Sequence, residues 1–236
     1  MIELFLAFFL GSLPSFLWLL FWHLQDIHPE EKKKIFEIFI LGAIFAFLAY
    51  FLEMLFSPSS ERNLDLLLYF WFCVGLIEEG VKFLPLPLRV LRTHHFDEPI
   101  DVIIYLATSS LGFSMTENFF YILFSEESPF FVSLFRGLLP TFFHTLSITI
   151  LGFFLVLGFL NLKKKIYFLF LGFLASSFFH GLYDFLVEKI DLSISEMKIS
   201  SIFFYFKIFV ILFFILIIIN YLILKKVKKI KPVCKI

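Results

Sequence analysis

The chain has 236 residues, 60% of them hydrophobic, and a formal net charge of zero at pH 7. Its mean hydropathy of +0.94 is too high for a soluble domain, which needs far more polar surface. The balanced charge does not indicate a nucleic-acid partner. The two cysteines, Cys73 and Cys234, form neither a disulfide framework nor a CxxC metal motif. We therefore expect an integral membrane protein embedded in the lipid bilayer, with no nucleic-acid partner.

Apolar segments follow one another along the whole chain, and most have the roughly 20 residues that a helix needs to cross a bilayer. In chain order they cover residues 2–22, 35–56, 64–88, 100–124, 129–160, 166–187 and 201–224. The fifth is too long for one straight span, and Pro140 should kink it or end an initial segment there. No Lys or Arg precedes the first, so we expect a retained helix rather than a cleaved signal peptide. Because lipid offers backbone groups no partner, the sequence predicts an all-α bundle of about seven transmembrane helices, in one domain of residues 1–236.

Basic residues are distributed unevenly among the predicted loops. The first, third and fifth loops and the C-terminal tail together carry 14 lysines and arginines, against three in the second, fourth and sixth loops. Cytoplasmic loops are enriched in these residues. The predicted N-terminus is therefore outside and the C-terminus cytoplasmic, with the lysine-rich tail as a topology anchor or, alternatively, a patch for anionic lipid.

Several ionisable residues nevertheless lie inside the third to sixth predicted spans. They are Glu78, Glu79, Lys82, Glu117, Arg136, His144, His180 and Asp184. Each charged group at the centre of a lone helix costs roughly 2.5–3.5 kcal/mol, so the six that are charged at pH 7 cost about as much as a typical folding stability. We therefore expect these side chains to face each other in one water-containing pocket rather than the lipid.

Helical spacing orients part of this set. Lys82 follows Glu79 by three residues and Glu78 by four, so all three can share one flank of the third helix. His180 and Asp184 are also four residues apart. On the fourth helix Phe113 and Glu117 share a face, with Asn118 beside them, and Gly112 allows close helix approach.

Two chemistries suit such a pocket. A carboxylate beside an imidazole can activate a water molecule, and a second histidine with a polar neighbour can stabilise an oxyanion. Alternatively, Glu78, His144 and His180 provide three ligands for Zn²⁺ and leave a fourth position for water, although the spacing is not HExxH. Each residue alone also fits a structural role, as a buried ion pair or a hydrogen-bonded packing group.

Four segments in order carry a family resemblance: "IEEGVKF", "FDEPIDVIIYLATSSLGFSMTENFFY", the histidine of "LPTFFHTLS", and "FFHGLYDF". Together they resemble the PrsW family of bacterial intramembrane proteases, a distant relative of the CAAX-prenyl endopeptidase (Abi) superfamily. The resemblance covers about residues 75–185. EExxK alone is a weak signal, whereas the ordered set of four is much more specific.

The resemblance implies a role for each matching residue. The catalytic candidates are Glu78, Glu79, His144, His180 and Asp184. The supporting candidates are Lys82, Phe113, Glu117 and Asn118. We expect Glu78 to be the general base, with Glu79 tuning it and Lys82 fixing the charge. His144 would orient the water or bind a metal, and His180 with Asp184 would stabilise the oxyanion.

The implied activity is endopeptidase cleavage of membrane-anchored protein substrates, as in the family's site-1 cleavage of an anti-sigma factor, in a bacterial inner membrane. Whether the mechanism is glutamic-type or depends on Zn²⁺ stays open. Two other functions also fit buried charges: a proton-coupled transporter and a non-catalytic membrane scaffold. The absence of a visible internal repeat disfavours the transporter.

Overall fold

The computed structural model describes residues 1–26, 28–56 and 63–230. Within these residues every regular element is helical, which confirms the all-α class. The elements are α1 (Ile2–His23), α2 (Lys32–Glu53), α3 (Asn63–Tyr69), a π-helix (Phe70–Gly75), α4 (Leu76–Phe83), α5 (Pro85–Arg89), α6 (Pro99–Phe124), α7 (Pro129–Leu138), α8 (Pro140–Leu160), a 3-10 helix (Leu162–Lys164), α9 (Lys165–Ser195) and α10 (Ile199–Val227). Arg62, Cys234 and the end of the lysine-rich tail lie outside the described residues.

Five helical stretches of the described chain are long and apolar enough to cross a membrane. They are Ile2–His23, Lys32–Glu53, Pro129–Leu160, Leu162–Ser195 and Ile199–Val227. Large apolar side chains on α1 and α10, such as Phe5 and Phe203, are exposed on the outside of the bundle, where lipid would cover them. The protein is a multi-pass α-helical membrane bundle.

The third and fourth predicted spans are not among these five stretches. The fourth is α6, a helix of 26 residues. The third is divided into α3, the π-helix, α4 and α5, so its polar segment begins directly after a π-helical turn. The predicted break in the fifth span is confirmed, since α7 ends at Leu138 and α8 begins at Pro140. Proline suits the first position of a helix because its missing N–H would have no partner there.

Helix α6 lies at the centre of the bundle and packs against α1, α2 and α8. Its contact with α2 is close because glycine faces backbone on both sides. A Cβ atom on Gly112 would collide with the carbonyl of Phe39, and one on Gly42 would collide with the carbonyl of Ser109. The expected close approach at Gly112 is confirmed, and it holds the polar end of α6 next to α2.

A second glycine contact joins the π-helix to α9. A Cβ atom on Gly181 would lie 2.6 Å from the carbonyl carbon of Phe70 and the Cα of Trp71, and one on Gly75 would lie 2.5 Å from the carbonyl oxygen of Ser177. Gly181 directly follows His180, and Gly75 precedes Glu78 by less than one turn. This contact therefore places the polar residues of α4 beside those of α9.

Candidate active site

The ammonium group of Lys82 is the centre of a buried polar cluster in the middle of the bundle. Its Nζ atom lies 2.8 Å from Glu78 Oε2 and 3.2 Å from Glu79 Oε1. The same atom lies 2.9 Å from Nδ1 of His144 and 3.4 Å from Nδ1 of His180. All five residues are buried, as expected from the cost of exposing charge to lipid. The structure thus brings together α4, α8 and α9, as the sequence predicted.

Glu79 is fully enclosed by polar partners. Besides Lys82, its Oε1 accepts a hydrogen bond of 3.2 Å from the Ser147 hydroxyl and lies 2.8 Å from His180 Nδ1. Its Oε2 accepts a hydrogen bond from the Ser176 hydroxyl. A carboxylate with this many donors is held in one orientation and has no free lone pair facing open space.

His180 has one nitrogen satisfied and one without a hydrogen-bond donor or acceptor in suitable geometry. With Nδ1 directed at Glu79, the neutral ring donates its Nδ1–H there and keeps a lone pair on Nε2. That Nε2 is buried and has no hydrogen-bond partner among the described residues. It lies 3.3 Å from Glu78 Oε2 and 3.5 Å from Asp184 Oδ2. Three lone-pair atoms face each other here, which requires a proton or a cation between them: a proton on His180 Nε2 or on one of the two carboxylates, or a metal ion.

On the opposite side of Lys82, Glu117 orients His144. His144 Nε2 lies 2.7 Å from Glu117 Oε2, and Arg136 Nη2 donates to the same oxygen over 3.5 Å. The guanidinium of Arg136 also stacks on the Tyr121 ring at 3.7 Å. Arg136 therefore pairs with a carboxylate inside the bundle.

Two supporting candidates lie at the edge of the cluster. The Phe113 ring is under Lys82, with Nζ 4.4 Å from its centroid, so it stabilises the cation through its π face. Asn118 does not contact the central charges. Its Oδ1 accepts a 2.7 Å hydrogen bond from Arg136 Nε, and its amide donates to the Thr141 hydroxyl at 2.9 Å, so it ties α6, α7 and α8 together.

A cavity of about 770 Å³ adjoins the cluster between the C-terminal halves of α2 and α6. Its lining residues are Ala46, Phe47, Ala49, Tyr50, Glu53, Glu78, Phe113, Thr116, Glu117, Phe120, Tyr121, Phe124 and Ser125. Glu78 and Glu117 are thus the members of the charge network that reach this space. Glu79, His144 and His180 lie behind them.

The chain resembles proteins of known class over most of its length. Residues 30–218 match the family described as PrsW family intramembrane metalloprotease. The Protease PrsW of Geobacillus kaustophilus is 31% identical over 185 residues, which cover 75% of this chain and 77% of that protein. The chain belongs to the PrsW family. The Protease PrsW of Bacillus subtilis is 30% identical over 183 residues, 77% of this chain and 82% of its own.

Membership of the PrsW family supports a membrane protease and confirms the resemblance read from the four motifs. It gives no support to the transporter or the scaffold, which were the alternatives from sequence. No solved structure matches the chain significantly.

The description of the PrsW family as metalloproteases is compatible with the donors in the cluster. Glu78, His144 and His180 each offer a ligand atom, and the three atoms lie within 4.8 Å of one another. In a tetrahedral zinc site the ligand atoms are about 3.3 Å apart. Glu78 Oε2 is 3.3 Å from His180 Nε2 and 3.8 Å from His144 Nδ1. The unpartnered Nε2 also fits a metal ligand, whereas the Lys82 ammonium, in contact with the same atoms, competes with a metal for them.

The sequence reading missed three residues of the site. The sequence analysis placed the ionisable residues of the pocket in the third to sixth spans, but Glu53 of α2 also lines the cavity. The reason is that the end of α2 packs beside the polar half of α6. Ser147 and Ser176, which hold Glu79, were also missed. Their spacing contains a signal, since Ser147 follows His144 by three residues and Ser176 precedes His180 by four, so each shares a helix face with a histidine.

Proposed function

We propose that this protease hydrolyses a peptide bond of a membrane-anchored protein in the cavity between α2 and α6, with Glu78 as the base that takes a proton from the attacking water. One observation carries the assignment. Of the two adjacent glutamates, Glu78 lines the cavity while Glu79 is enclosed by donors. A base must lie within hydrogen-bond reach of the proton it removes, and this favours Glu78.

The other residues prepare this carboxylate and its surroundings. Lys82 holds Glu78 in its ionised form through the 2.8 Å contact. Glu79 positions His180, and Glu117 positions His144, each through a short contact to one ring nitrogen. Fixed donors and charges of this kind need no reorganisation during the reaction, which is where much of enzymatic rate enhancement originates.

A role for His180 and Asp184 in stabilising the oxyanion stays part of the proposal. Neither residue lines the cavity. However, His180 Nε2 lies only 3.3 Å from the Glu78 oxygen, so a substrate oxygen bound against Glu78 comes within reach of this nitrogen. Asp184, 3.5 Å from the same nitrogen, favours a protonated ring that can donate there.

We further propose a metal-bound alternative, in which Glu78, His144 and His180 hold the ion as ligands and Glu78 and His180 no longer act as base and oxyanion donor. Zn²⁺ suits this donor set. Such an ion would supply Lewis acidity toward a water molecule or a carbonyl oxygen. The chain's own contribution is to orient both imidazoles through carboxylates, a pattern that recurs around metal-binding histidines.

The membrane orientation is also proposed. An outside N-terminus and a cytoplasmic C-terminus in a bacterial inner membrane follow from the distribution of basic loops. In this orientation the cavity, which extends to Ser125 in the α6–α7 loop, is on the outer side. Reporter domains fused after Glu30 and after Glu126 test it, because the first should report the cytoplasmic side and the second the outer side. Anti-sigma-factor cleavage, known in the family, stays a prediction for this chain.

The decisive experiment compares membrane proteomes of cells that express the wild type, Glu78→Gln, or the exposed-loop control Glu126→Gln. Loss of a general base lowers the rate by roughly 10²–10⁴-fold. We expect truncated forms of one or more single-span proteins with the wild type and the control, and intact forms with Glu78→Gln at equal expression. Persistence of the truncated forms in Glu78→Gln would remove this residue from the mechanism.

A further inference from the structure

The cavity contains one carboxylate that the charge network does not explain. Three of its lining residues are acidic, namely Glu53, Glu78 and Glu117. Glu78 is compensated by Lys82 at 2.8 Å, and Glu117 by Arg136 at 3.5 Å and by His144. Glu53 Oε1, in contrast, is buried and has no hydrogen-bond partner among the described residues. Among the described residues that line the cavity there is no lysine or arginine.

An uncompensated carboxylate in a largely apolar cavity is costly unless a ligand supplies the missing donor. The lining is otherwise aromatic or small: the rings of Phe47 and Phe120 contact each other edge to face, and Ala46 and Ala49 of α2 also line the cavity. Apolar walls with few placed polar groups are characteristic of binding pockets, and about 770 Å³ is within their usual range of roughly 300–1,000 Å³. The space suits a few residues of unwound peptide.

Position along the helices defines what Glu53 would recognise. It is the last residue of α2, whereas Glu78 lies at the buried end of the same cavity. A substrate segment that presents a peptide bond to Glu78 therefore has another side chain at Glu53. Charge complementarity favours a cationic side chain at this position, and only a lysine or an arginine carries a fixed positive charge at neutral pH.

We propose that Glu53 forms a specificity subsite of the cavity, which binds a lysine or arginine side chain of the membrane-anchored substrate at a fixed distance from the cleaved bond. This inference rests on the proposed function for the identity of the ligand as a substrate. Glu53 acts in recognition, not in the chemical step, so it should set which substrates are cleaved rather than how the bond is broken.

The first test is binding by the full-length protein in detergent micelles. The probes are fluorescein-labelled single-span peptides with about 20 Ala and Leu residues, in which Lys, Gln or Glu occupies each position in turn. Anisotropy should show at least one position where Lys binds about tenfold more tightly than Gln, the ratio expected for one pair worth about 1.4 kcal/mol. Glu53→Gln should abolish that ratio, and Glu53→Lys should reverse it in favour of Glu.

Glu37→Gln is the matched control, since Glu37 is on the same helix but outside the cavity. It should retain the wild-type ratio. If Glu53→Gln fails to give monodisperse protein, the subsite is tested with Glu53→Asp and with the ratio of Lys-peptide to Gln-peptide affinity in the wild type. A wild type without preference at any position overturns the subsite. So does a preference that survives in Glu53→Gln, or retention of an aminophospholipid at Glu53 in native mass spectrometry without any peptide preference.

Cleavage of the same peptides separates this inference from the proposed function. A Glu53-dependent ratio of kcat/KM between Lys and Gln peptides supports both. Glu53-dependent binding without cleavage of any peptide by the wild type supports the subsite and counts against the proposed function. Cleavage with the same Lys-to-Gln ratio in the wild type and Glu53→Gln overturns the subsite and leaves the proposed function intact.

Discussion

Glu79 Oε1 lies 2.8 Å from His180 Nδ1, and this contact distinguishes two glutamates that are adjacent in the chain. Consecutive residues of a helix point about 100° apart. Glu79 therefore faces α9 and orients a histidine, while Glu78 faces the cavity. A rotation of about 100° around the helix axis thus separates the carboxylate that we propose to position His180 from the one that we propose to react, and the two should respond differently to the same substitution.

Glu79→Gln should change the protonation of His180. An amide keeps the size of the side chain but is a weaker acceptor, so the Nδ1–H tautomer loses its preferred partner. We expect the ¹⁵N signals of the His180 ring, assigned by their absence in His180→Ala, to shift away from those of the wild type. Glu78→Gln removes the other neighbour and should leave the Nδ1 signal close to its wild-type position. Identical spectra for Glu79→Gln and the wild type would contradict the positioning role.

Lys82→Met should be among the most destabilising single substitutions in this protein. It leaves Glu78 and Glu79 buried without their shared cation, and breaking a buried ion pair from one side costs roughly 3–5 kcal/mol. Thermal unfolding in detergent micelles should show a large drop in Tm relative to Lys207→Met, a lysine on α10 outside the cluster. A drop no larger than that of this control would mean that Lys82 is not the compensating charge.

The helical bundle and much of the buried polar cluster could be predicted from the sequence, and the physical reason is the same for both. Long apolar runs must be membrane helices, and charges inside them must meet each other. This argument correctly joined Glu78, Lys82, His144 and His180, whose segments are far apart in the chain. The break between α7 and α8 lies at Pro140, where the missing N–H of proline predicted an interruption.

The features that could not be predicted from the sequence depend on tertiary packing. The π-helix at Phe70–Gly75 has no distinct sequence pattern and follows from the close contact with α9. The different roles of Glu78 and Glu79 depend on which neighbour each one faces. Glu53 is the last residue of α2, where a charge is common at a membrane interface. Only the packing of α2 on α6 places it on the cavity wall.

Gly181→Ala tests the packing that aligns the site. The new Cβ would lie 2.6 Å from the backbone of Phe70 and Trp71, so α9 and the π-helix must separate. Overpacking of this kind typically costs roughly 1–3 kcal/mol, and cleavage should decrease because His180 moves with α9. Gly80→Ala is the matched control. Gly80 lies in α4 between Glu79 and Lys82, but a Cβ atom added there would contact nothing within 4 Å. The Tm of the Gly80→Ala variant should therefore be unchanged or higher. Equal Tm values for the two variants would show that this contact is not tight.

The metal content of purified variants should distinguish the residues that would bind an ion from those that orient the ligands. Purified wild type, reconstituted with Zn²⁺ and dialysed, should retain about one ion per chain by mass spectrometry, and chelation should abolish cleavage until Zn²⁺ is restored. His180→Ala and Glu78→Gln each remove a proposed ligand and should retain almost none. Glu79→Gln keeps all three ligands but loses the carboxylate that orients His180, so its affinity should decrease by roughly 10–100-fold.

His28→Ala, at a histidine in the α1–α2 loop outside the cluster, should bind like the wild type. A protein that cleaves at full rate after chelation, with no retained ion, would contradict the metal proposal. The positive centre between Glu78, His180 and Asp184 would then be a proton, and Glu78 would work as an unassisted base. His180→Ala separates these cases, because it would lower cleavage in both but would change metal content in only one.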